Sequence, residues 1–385
     1  MGKEHLDFAE LLLSCKRYEK AARLLVKLEE DADMTMRPRV YFLLASVHYS
    51  LRNYSKARSY YNNLLAIQKD SDVLSNLAAV CLAQGDFLTA IEFAREAIDL
   101  SKGSCVSAFM NLHSAQRSYG RLEEAIAYTT TFLGIPRAPI KDNDSSNLYS
   151  VRSSSSNSLA ICCVKWGTKY GPHYVNRLFY AIKRNWKSKT LQFPEFYCFT
   201  DDPKGLDQSI SRIPLKKKRY EFFWGKAEIF EARELLGKLV CFLDLDTVVV
   251  GDVASLFAMS RPGRLLTLSA KGLNNEMGGL SDGVVNTSVM VWHHSKSWLQ
   301  VALLATTRVQ SYVHRFDHWM EICGEGVIDY VIEGVAIDYQ GLSDQLTGNL
   351  GDGVSPEVAL LIFPGGLKPH EAVDSCRIVA TNWVD

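Results

Sequence analysis

The sequence predicts a chain in two parts: an all-α helical repeat domain, then an α/β domain built on a mostly parallel sheet. Three observations predict it. Four five-residue signatures recur at near-constant spacing within the first 135 residues. All seven tryptophans, and most of the glycines, lie beyond residue 157. Beyond that point short apolar runs alternate with helical stretches, the pattern of strands joined by covering helices. The expected boundaries are 1–135 for the repeats, 136–157 for a polar linker and 158–385 for the α/β domain.

The repeats come first. The signatures are Arg17-Tyr18-Glu19-Lys20-Ala21, Asn53-Tyr54-Ser55-Lys56-Ala57, Asp86-Phe87-Leu88-Thr89-Ala90 and Arg121-Leu122-Glu123-Glu124-Ala125, with their alanines 36, 33 and 35 residues apart. Each signature separates two apolar helices, and Gly85 and Gly120 mark the turn in two units. The bulky residue and the alanine three later share one helical face. A small alanine lets the paired helix approach, and the larger side chain fills the adjoining gap. This four-unit array resembles the tetratricopeptide repeat, whose period is about 34 residues. It lacks the early-helix tryptophan of that consensus. The resemblance implies about four helix pairs stacked into a superhelix. It also implies a concave face for a protein partner or for self-association with a second copy.

Pro136 and Pro139 stop helix, and Lys141–Ser146 and Ser153–Asn157 are polar and aperiodic, so this stretch reads as an exposed linker. The α/β part then opens with an expected strand over Leu159–Val164 and a helix over Pro172–Trp186 with proline in its first turn. Strands are expected at Phe196–Phe199, Leu265–Leu268 and Val284–Trp292. A helix over Lys226–Leu236 precedes the strand into Asp244.

Bulk properties narrow the function. A chain of 385 residues has room for two or more domains. Lys+Arg and Asp+Glu are equal at 43 each, so net charge gives no sign of a nucleic-acid partner. The dense basic run Lys216-Lys217-Lys218-Arg219 reads either as a solvated loop or as a peripheral contact for an anionic membrane or phosphate. No apolar run reaches the roughly 18 residues of a transmembrane helix. The amino terminus leads into an amphipathic helix rather than a signal-peptide core. Nine scattered cysteines without Cys-x-x-Cys pairs read as buried free thiols, which argues against zinc and for a reducing, cytoplasmic setting. No Ser-His-Asp order and no P-loop occur, and Gly348–Gly353 reads as a flexible loop or lid.

The chemistry concentrates at Leu239-Val240-Cys241-Phe242-Leu243-Asp244-Leu245-Asp246. A buried strand that stops at Asp-x-Asp puts two anionic ligands at the carboxyl edge of a sheet, where open α/β sheets bind ligands. Hard divalent cations want such oxygens, and a nucleotide diphosphate wants such a cation. The tripeptide also occurs at Asp31/Asp33, Asp70/Asp72 and Asp142/Asp144. Those three read as caps and solvated carboxylates, because no strand-like run precedes them.

Four segments in order make residues 158–385 resemble a GT-A-fold glycosyltransferase, closest to glycosyltransferase family 8, the glycogenin and lipopolysaccharide glycosyltransferase type. They are Ala160–Tyr170, Trp224–Phe230 leading to Asp244 and Asp246, Asp282–Val291, and Leu361–His370. The resemblance implies a Rossmann-like sheet and a UDP-sugar donor clamped by Mn²⁺ or Mg²⁺. Trp166, Gly167 and Tyr170 would meet the nucleoside. Lys226, Asn286, Gly365 and Lys368 would bind the donor. Asp244 would be shared between the metal and the ribose, and Asp246 would bind the metal. Asp317, Asn286 and Lys368 would carry catalysis. The implied reaction moves a hexose to an acceptor hydroxyl, on a glycan or a protein, with retention.

Three departures stand out. Ser288 replaces the family's glycine, His318 its glutamine, and Pro364 occupies the position of the histidine that completes the metal site. Either another group, His370 or water, then supplies the third ligand, or the metal binds more weakly than in the family. Pro364 is also what favours the alternative, a non-catalytic scaffold in which only the repeats work.

Overall fold

The computed structural model describes residues 2–137, 139–140, 158–216, 220, 222–270, 285–313, 315–330, 334–339, 357–363 and 367–384. The chain divides into two compact units, Met1–Thr129 and Thr130–Asp385. Most of the expected linker, together with Pro364, Gly365 and the Gly348–Gly353 loop, lies outside the described residues.

The first unit is built from the antiparallel pairs α1 (Gly2–Ser14) and α2 (Tyr18–Asp31), α3 (Arg37–Ser50) and α4 (Tyr54–Ile67), α5 (Ser71–Ala83) and α6 (Phe87–Leu100), with α7 (Val106–Ser118) preceding α8 (Leu122–Leu133). The signature alanines Ala21, Ala57, Ala90 and Ala125 are all fully buried. Ala45 of α3 joins Ala57, Tyr61 and Leu64 of α4 in one apolar cluster, so the small residues do let the paired helices close. The turn within each pair is the same. Lys16, Arg52, Gly85 and Gly120, each five residues before its alanine, have φ between 57° and 82°. The next backbone N–H donates to the carbonyl five residues back, as in Arg17 to Leu12, Asn53 to His48, Asp86 to Cys81 and Arg121 to Gln116. Asp70 caps α5 through Asp72 N and Val73 N.

In the second unit the strands are β1 (Leu159–Lys165), β2 (Glu195–Thr200), β3 (Ser211–Pro214), β4 (Leu239–Leu243), β5 (Val248–Val249), β6 (Leu265–Ser269), β7 (Val285–His293), β8 (Ile328–Tyr330), β9 (Ala336–Asp338) and β10 (Leu360–Ile362). The main sheet runs β3-β2-β1-β4-β7-β6-β8, and β5-β10-β9 form a second, small sheet. β3, β2, β1 and β4 are mutually parallel, and β7 runs against both β4 and β6. All five residues of β4 are buried. That is why it reads as an unbroken apolar run rather than an alternating one.

Among the described residues the α-helices after α8 are α9 (Pro172–Asn185), α10 (Ala254–Ala258), α11 (Leu299–Leu303), α12 (Thr307–Tyr312), α13 (Phe316–Cys323), α14 (Pro369–Ala372) and α15 (Arg377–Asn382). The helix expected over Lys226–Leu236 starts four residues earlier and is of the 3-10 kind, ten residues over Phe222–Glu231, followed by a 3-10 turn, Arg233–Leu235. Trp224, Ala227 and Phe230 are buried at a spacing of three. Glu228 and Ile229 are buried as well, so the segment is enclosed on most sides. Trp224 meets Phe316 and Trp319, and Phe230 stacks on Trp292.

All nine cysteines are free, and all but Cys15 are buried. Burial pushes the Cys162, Cys163 and Cys241 thiols upward, so these sulfurs act as packing atoms rather than nucleophiles.

Two predictions follow from backbone and burial. An added Cβ at Gly85 meets nothing within 4 Å, so its cost is conformational alone. Gly85→Ala is expected to lower stability by about 1 kcal/mol, and Arg52→Gly, which relieves the same strain, to raise it by a smaller amount. Helical circular dichroism through a urea titration checks both. The second concerns His294, whose Nδ1 accepts from Trp292 Nε1 at 3.1 Å. Burial pushes its pKa down to about 4. The unfolded chain takes up this proton near 6.5, so it binds more protons than the native state between the two values. Stability should fall by about 3 kcal/mol as pH drops from about 6.5 to about 4. His294→Asn should flatten that slope in tryptophan-monitored unfolding, which reports only on the second unit.

Candidate functional site

One edge of the main sheet collects several of the side chains expected from sequence to form a site, and strand direction explains why. β1, β2 and β4 run parallel and end there, at Lys165, Thr200 and Leu243. β7 runs the other way, so its first residues reach the same edge. Leu243 pairs with Val289, and Asp244 N donates to Ser288 O at 2.9 Å. The β6–β7 register shifts between Thr267 and Leu268, whose partners are Met290 and Asn286. The shift takes Thr287 and Ser288 out of the β6 ladder and leaves them to serve the site. Asn286 Oδ1 accepts from Ser288 N at 2.9 Å, which holds this irregular turn of chain.

Two charge clusters form around the Asp-x-Asp. In the first, Lys226 Nζ donates to Asp244 Oδ2 at 2.8 Å and lies 3.2 Å from Thr287 Oγ1 and 3.3 Å from Thr287 O. The Thr287 hydroxyl and N–H donate in turn to Asp317 Oδ1, at 2.6 and 2.9 Å. Asp317 sits in the first turn of α13. Thus Asp244, Lys226, Thr287 and Asp317 form one continuous hydrogen-bonded chain.

In the second cluster Asp246 Oδ2 accepts from Lys368 Nζ at 2.8 Å and from the Tyr170 hydroxyl at 3.0 Å. Lys368 is the N-cap residue of α14. The small sheet explains how it reaches Asp246 from 122 positions away. β5 begins two residues after Asp246 and pairs with β10, which precedes Lys368.

The site is partly closed to water. The side chains of Lys226 and Lys368 are 13% and 14% exposed, those of Asp244 and Asp246 25% and 18%. Burial raises the Asp244 carboxyl above the usual range, and Lys226 opposes that shift. Tyr170 is pushed far above an ordinary phenol by burial and by the Asp246 charge, so it stays a hydroxyl donor.

Other expected residues stand apart from these clusters. Trp166 is 38% exposed on the loop after β1. Gly167 has φ 61°, and its N–H donates to both oxygens of Asp201 at 3.2 Å. His370 Nδ1 meets the hydroxyl of Tyr174, a ring packed 4.8 Å from Tyr170. Gly365 and residues 282–284 lie outside the described residues. Among the described residues no group of three or more His, Cys, Asp or Glu side chains is arranged to hold a metal ion.

Thr287, Tyr174 and Asp201 are additions to the residues expected from sequence. Asp201 had a signal of the same kind as Asp244, an apolar strand ending in carboxylates. Thr287 had none of its own, because only the β7 irregularity gives its hydroxyl two charged partners. Thr287→Val should remove both contacts and lower stability of the second unit by about 1–2 kcal/mol, while Thr287→Ser should restore most of it. Tryptophan fluorescence during a urea titration reads both variants.

The profile of the tetratricopeptide repeat matches residues 38–71, the α3–α4 pair. No curated protein matches the chain. Among solved structures, MamA is similar at 19% identity, covering 34% of this chain and 72% of that one, with a TM-score of 0.32. YrrB, described as a TPR protein with an unusual peptide-binding site, is similar at 18% identity over 38% of this chain and 76% of its own, with a TM-score of 0.30. PilF of Pseudomonas aeruginosa is similar at 16% identity over 34% and 59%, with a TM-score of 0.30. The chain is an array of tetratricopeptide-like helical repeats followed by a mixed α/β region with a multi-stranded sheet.

Proposed function

We propose that the α/β unit is a GT-A-type glycosyltransferase resembling family 8, which moves a hexose from a UDP-sugar to an acceptor hydroxyl on a glycan or a protein. The observation that carries the reading is one constellation. Asp244 and Asp246 stand at the end of a buried strand, and each is met by a lysine that the family resemblance independently assigns to the donor. A structural ion pair needs one lysine and one carboxylate. Two pairs at a sheet edge that binds ligands in open α/β folds support a site for a charged ligand.

The donor set suits a hard divalent ion. Two carboxylates, completed by water and phosphate oxygens, are a common complement for Mg²⁺ or Mn²⁺. Asp244 and Asp246 would hold it, and its chemistry when bound is to neutralise charge on the departing nucleotide diphosphate. Lys226 and Lys368 hold the diphosphate oxygens. Asn286 presents its carboxamide to the sugar. Asp317, fixed by Thr287, orients the hydroxyl groups on the same side, and Tyr170 keeps Asp246 in place. The net effect is positioning and leaving-group stabilisation.

The repeats serve a protein contact, with a partner or with a second copy of the chain. A second reading, in which the α/β unit is a non-catalytic scaffold, draws on Pro364 at the family's histidine position. A calorimetric screen of UDP-glucose, UDP-galactose, UDP-N-acetylglucosamine and GDP-mannose, with and without Mn²⁺, separates the two. The transferase reading expects cation-dependent binding of at least one of them, and Asp246→Ala should abolish the resulting turnover with the fold intact. Silence of all four at millimolar concentration would leave the scaffold reading.

A further inference from the structure

We infer that two copies of this chain pair through α1, antiparallel, about a stripe centred on Phe8 and Leu11. The inference rests on the reading of the repeats as a protein contact and deepens it, because it names the occupant as a second copy and gives the surface.

The repeat period identifies the stripe. With the alanine spacings of 36, 33 and 35, Phe8 corresponds to Leu44, Leu77 and Leu112, and Leu11 to Val47, Val80 and Ala115. The six later residues are all fully buried. They are buried where one helix pair packs on the pair before it. Leu44 and Val47 share an apolar cluster with Leu25 and Leu28 of α2, and Leu77 and Val80 share one with Tyr61 and Leu64 of α4. At the same two positions of α1, Phe8 is 53% and Leu11 56% exposed. Cys15, the counterpart of the partly buried Leu51, is exposed one turn beyond Leu11. So α1 presents the surface by which repeats stack, and no described helix covers it.

Two observations choose the occupant. Head-to-tail stacking would need a free apolar face on α8, but Ile126 and Leu133 there are buried. A second α1 offers the same stripe, so the pair closes on itself. Charge then sets the direction. Glu4 is exposed in the first turn of α1, and Lys16 and Arg17 are exposed just past its end. None of these three forms an ion pair among the described residues, whereas Asp7 and Glu10 are taken up by Arg39 of α3. An antiparallel pair sets Phe8 of each copy against Leu11 of the other, and Glu4 of each beside Lys16 of the other. A parallel pair would set like charges together.

The experiment is sedimentation velocity of the full chain, from about 1 to about 200 µM under reducing conditions. The weight-average mass is expected to rise with concentration toward twice that of one chain. Leu11→Glu, at a side chain already exposed, should raise the dissociation constant at least about tenfold. Leu88→Glu, at a comparably exposed leucine of α6, should leave it unchanged. Glu4→Lys should weaken the pair, and adding Lys16→Glu should restore it, because both contacts then form with their charges exchanged. Circular dichroism checks that each variant keeps its helices. Oxidation tests the direction separately. In the antiparallel pair the two Cys15 residues lie about 16 Å apart along the helices, beyond the reach of a disulfide, so a Cys15 cross-link overturns the arrangement. A chain that stays monomeric throughout overturns the pairing, while the wider reading of the repeats, which a different partner could satisfy, is judged by that partner's binding. A dimer that a folded Leu11→Glu variant leaves unchanged overturns it too, as does a charge exchange that fails to restore what Glu4→Lys removed.

Discussion

The site depends on a strand that has no surface. β4 lies between β1 and β7, and its five residues are buried. A chain so enclosed can become polar again only where the sheet ends. Asp244 and Asp246 stand there, separated by the buried Leu245. Alternation in the emerging chain keeps the leucine in the core and turns the carboxylates to the edge. Burial still reaches them, which is why Asp244 is shifted upward despite its lysine.

The antiparallel strand β7 gives this edge its second wall. Had it run parallel to β4, its first residues would have been at the opposite end of the sheet. Its reversed direction instead sets Ser288 O against Asp244 N, and its irregular pairing with β6 frees Thr287 to bridge Lys226 and Asp317. The small sheet supplies the other wall, carrying the chain back so that Lys368 meets Asp246. Neither wall is an independent addition. Both are consequences of how neighbouring strands pair with the segments that flank the Asp-x-Asp.

The repeats follow a different logic. Their stability comes from a motif used again and again: a small buried alanine, a half-buried larger residue and a left-handed turn. Gly85 and Gly120 take that turn without a side chain to accommodate, whereas Lys16 and Arg52 take it with one. Sequence periodicity therefore exposes the helix pairs, while the strain at two of the four turns is visible only in the backbone.

Much was legible in the sequence. The alanine period, the unbroken apolar run of β4 and the proline at the start of α9 are local signals, and local propensity with burial decides them. The Asp-x-Asp stood out because its context, not its tripeptide, differed from three others. What the sequence could not decide was partnership. The helix expected over Lys226–Leu236 took the 3-10 form over Phe222–Glu231, enclosed by aromatic neighbours far along the chain such as Trp292, Phe316 and Trp319. Thr287 carries no mark of its role until β7 reverses and shifts register. The chain by itself determined which segments become strands and which residues carry charge. Only the tertiary structure decided that Lys226 and Lys368 would each meet one carboxylate, since strand direction and pairing, not spacing, bring residues 18 and 122 positions apart to one edge.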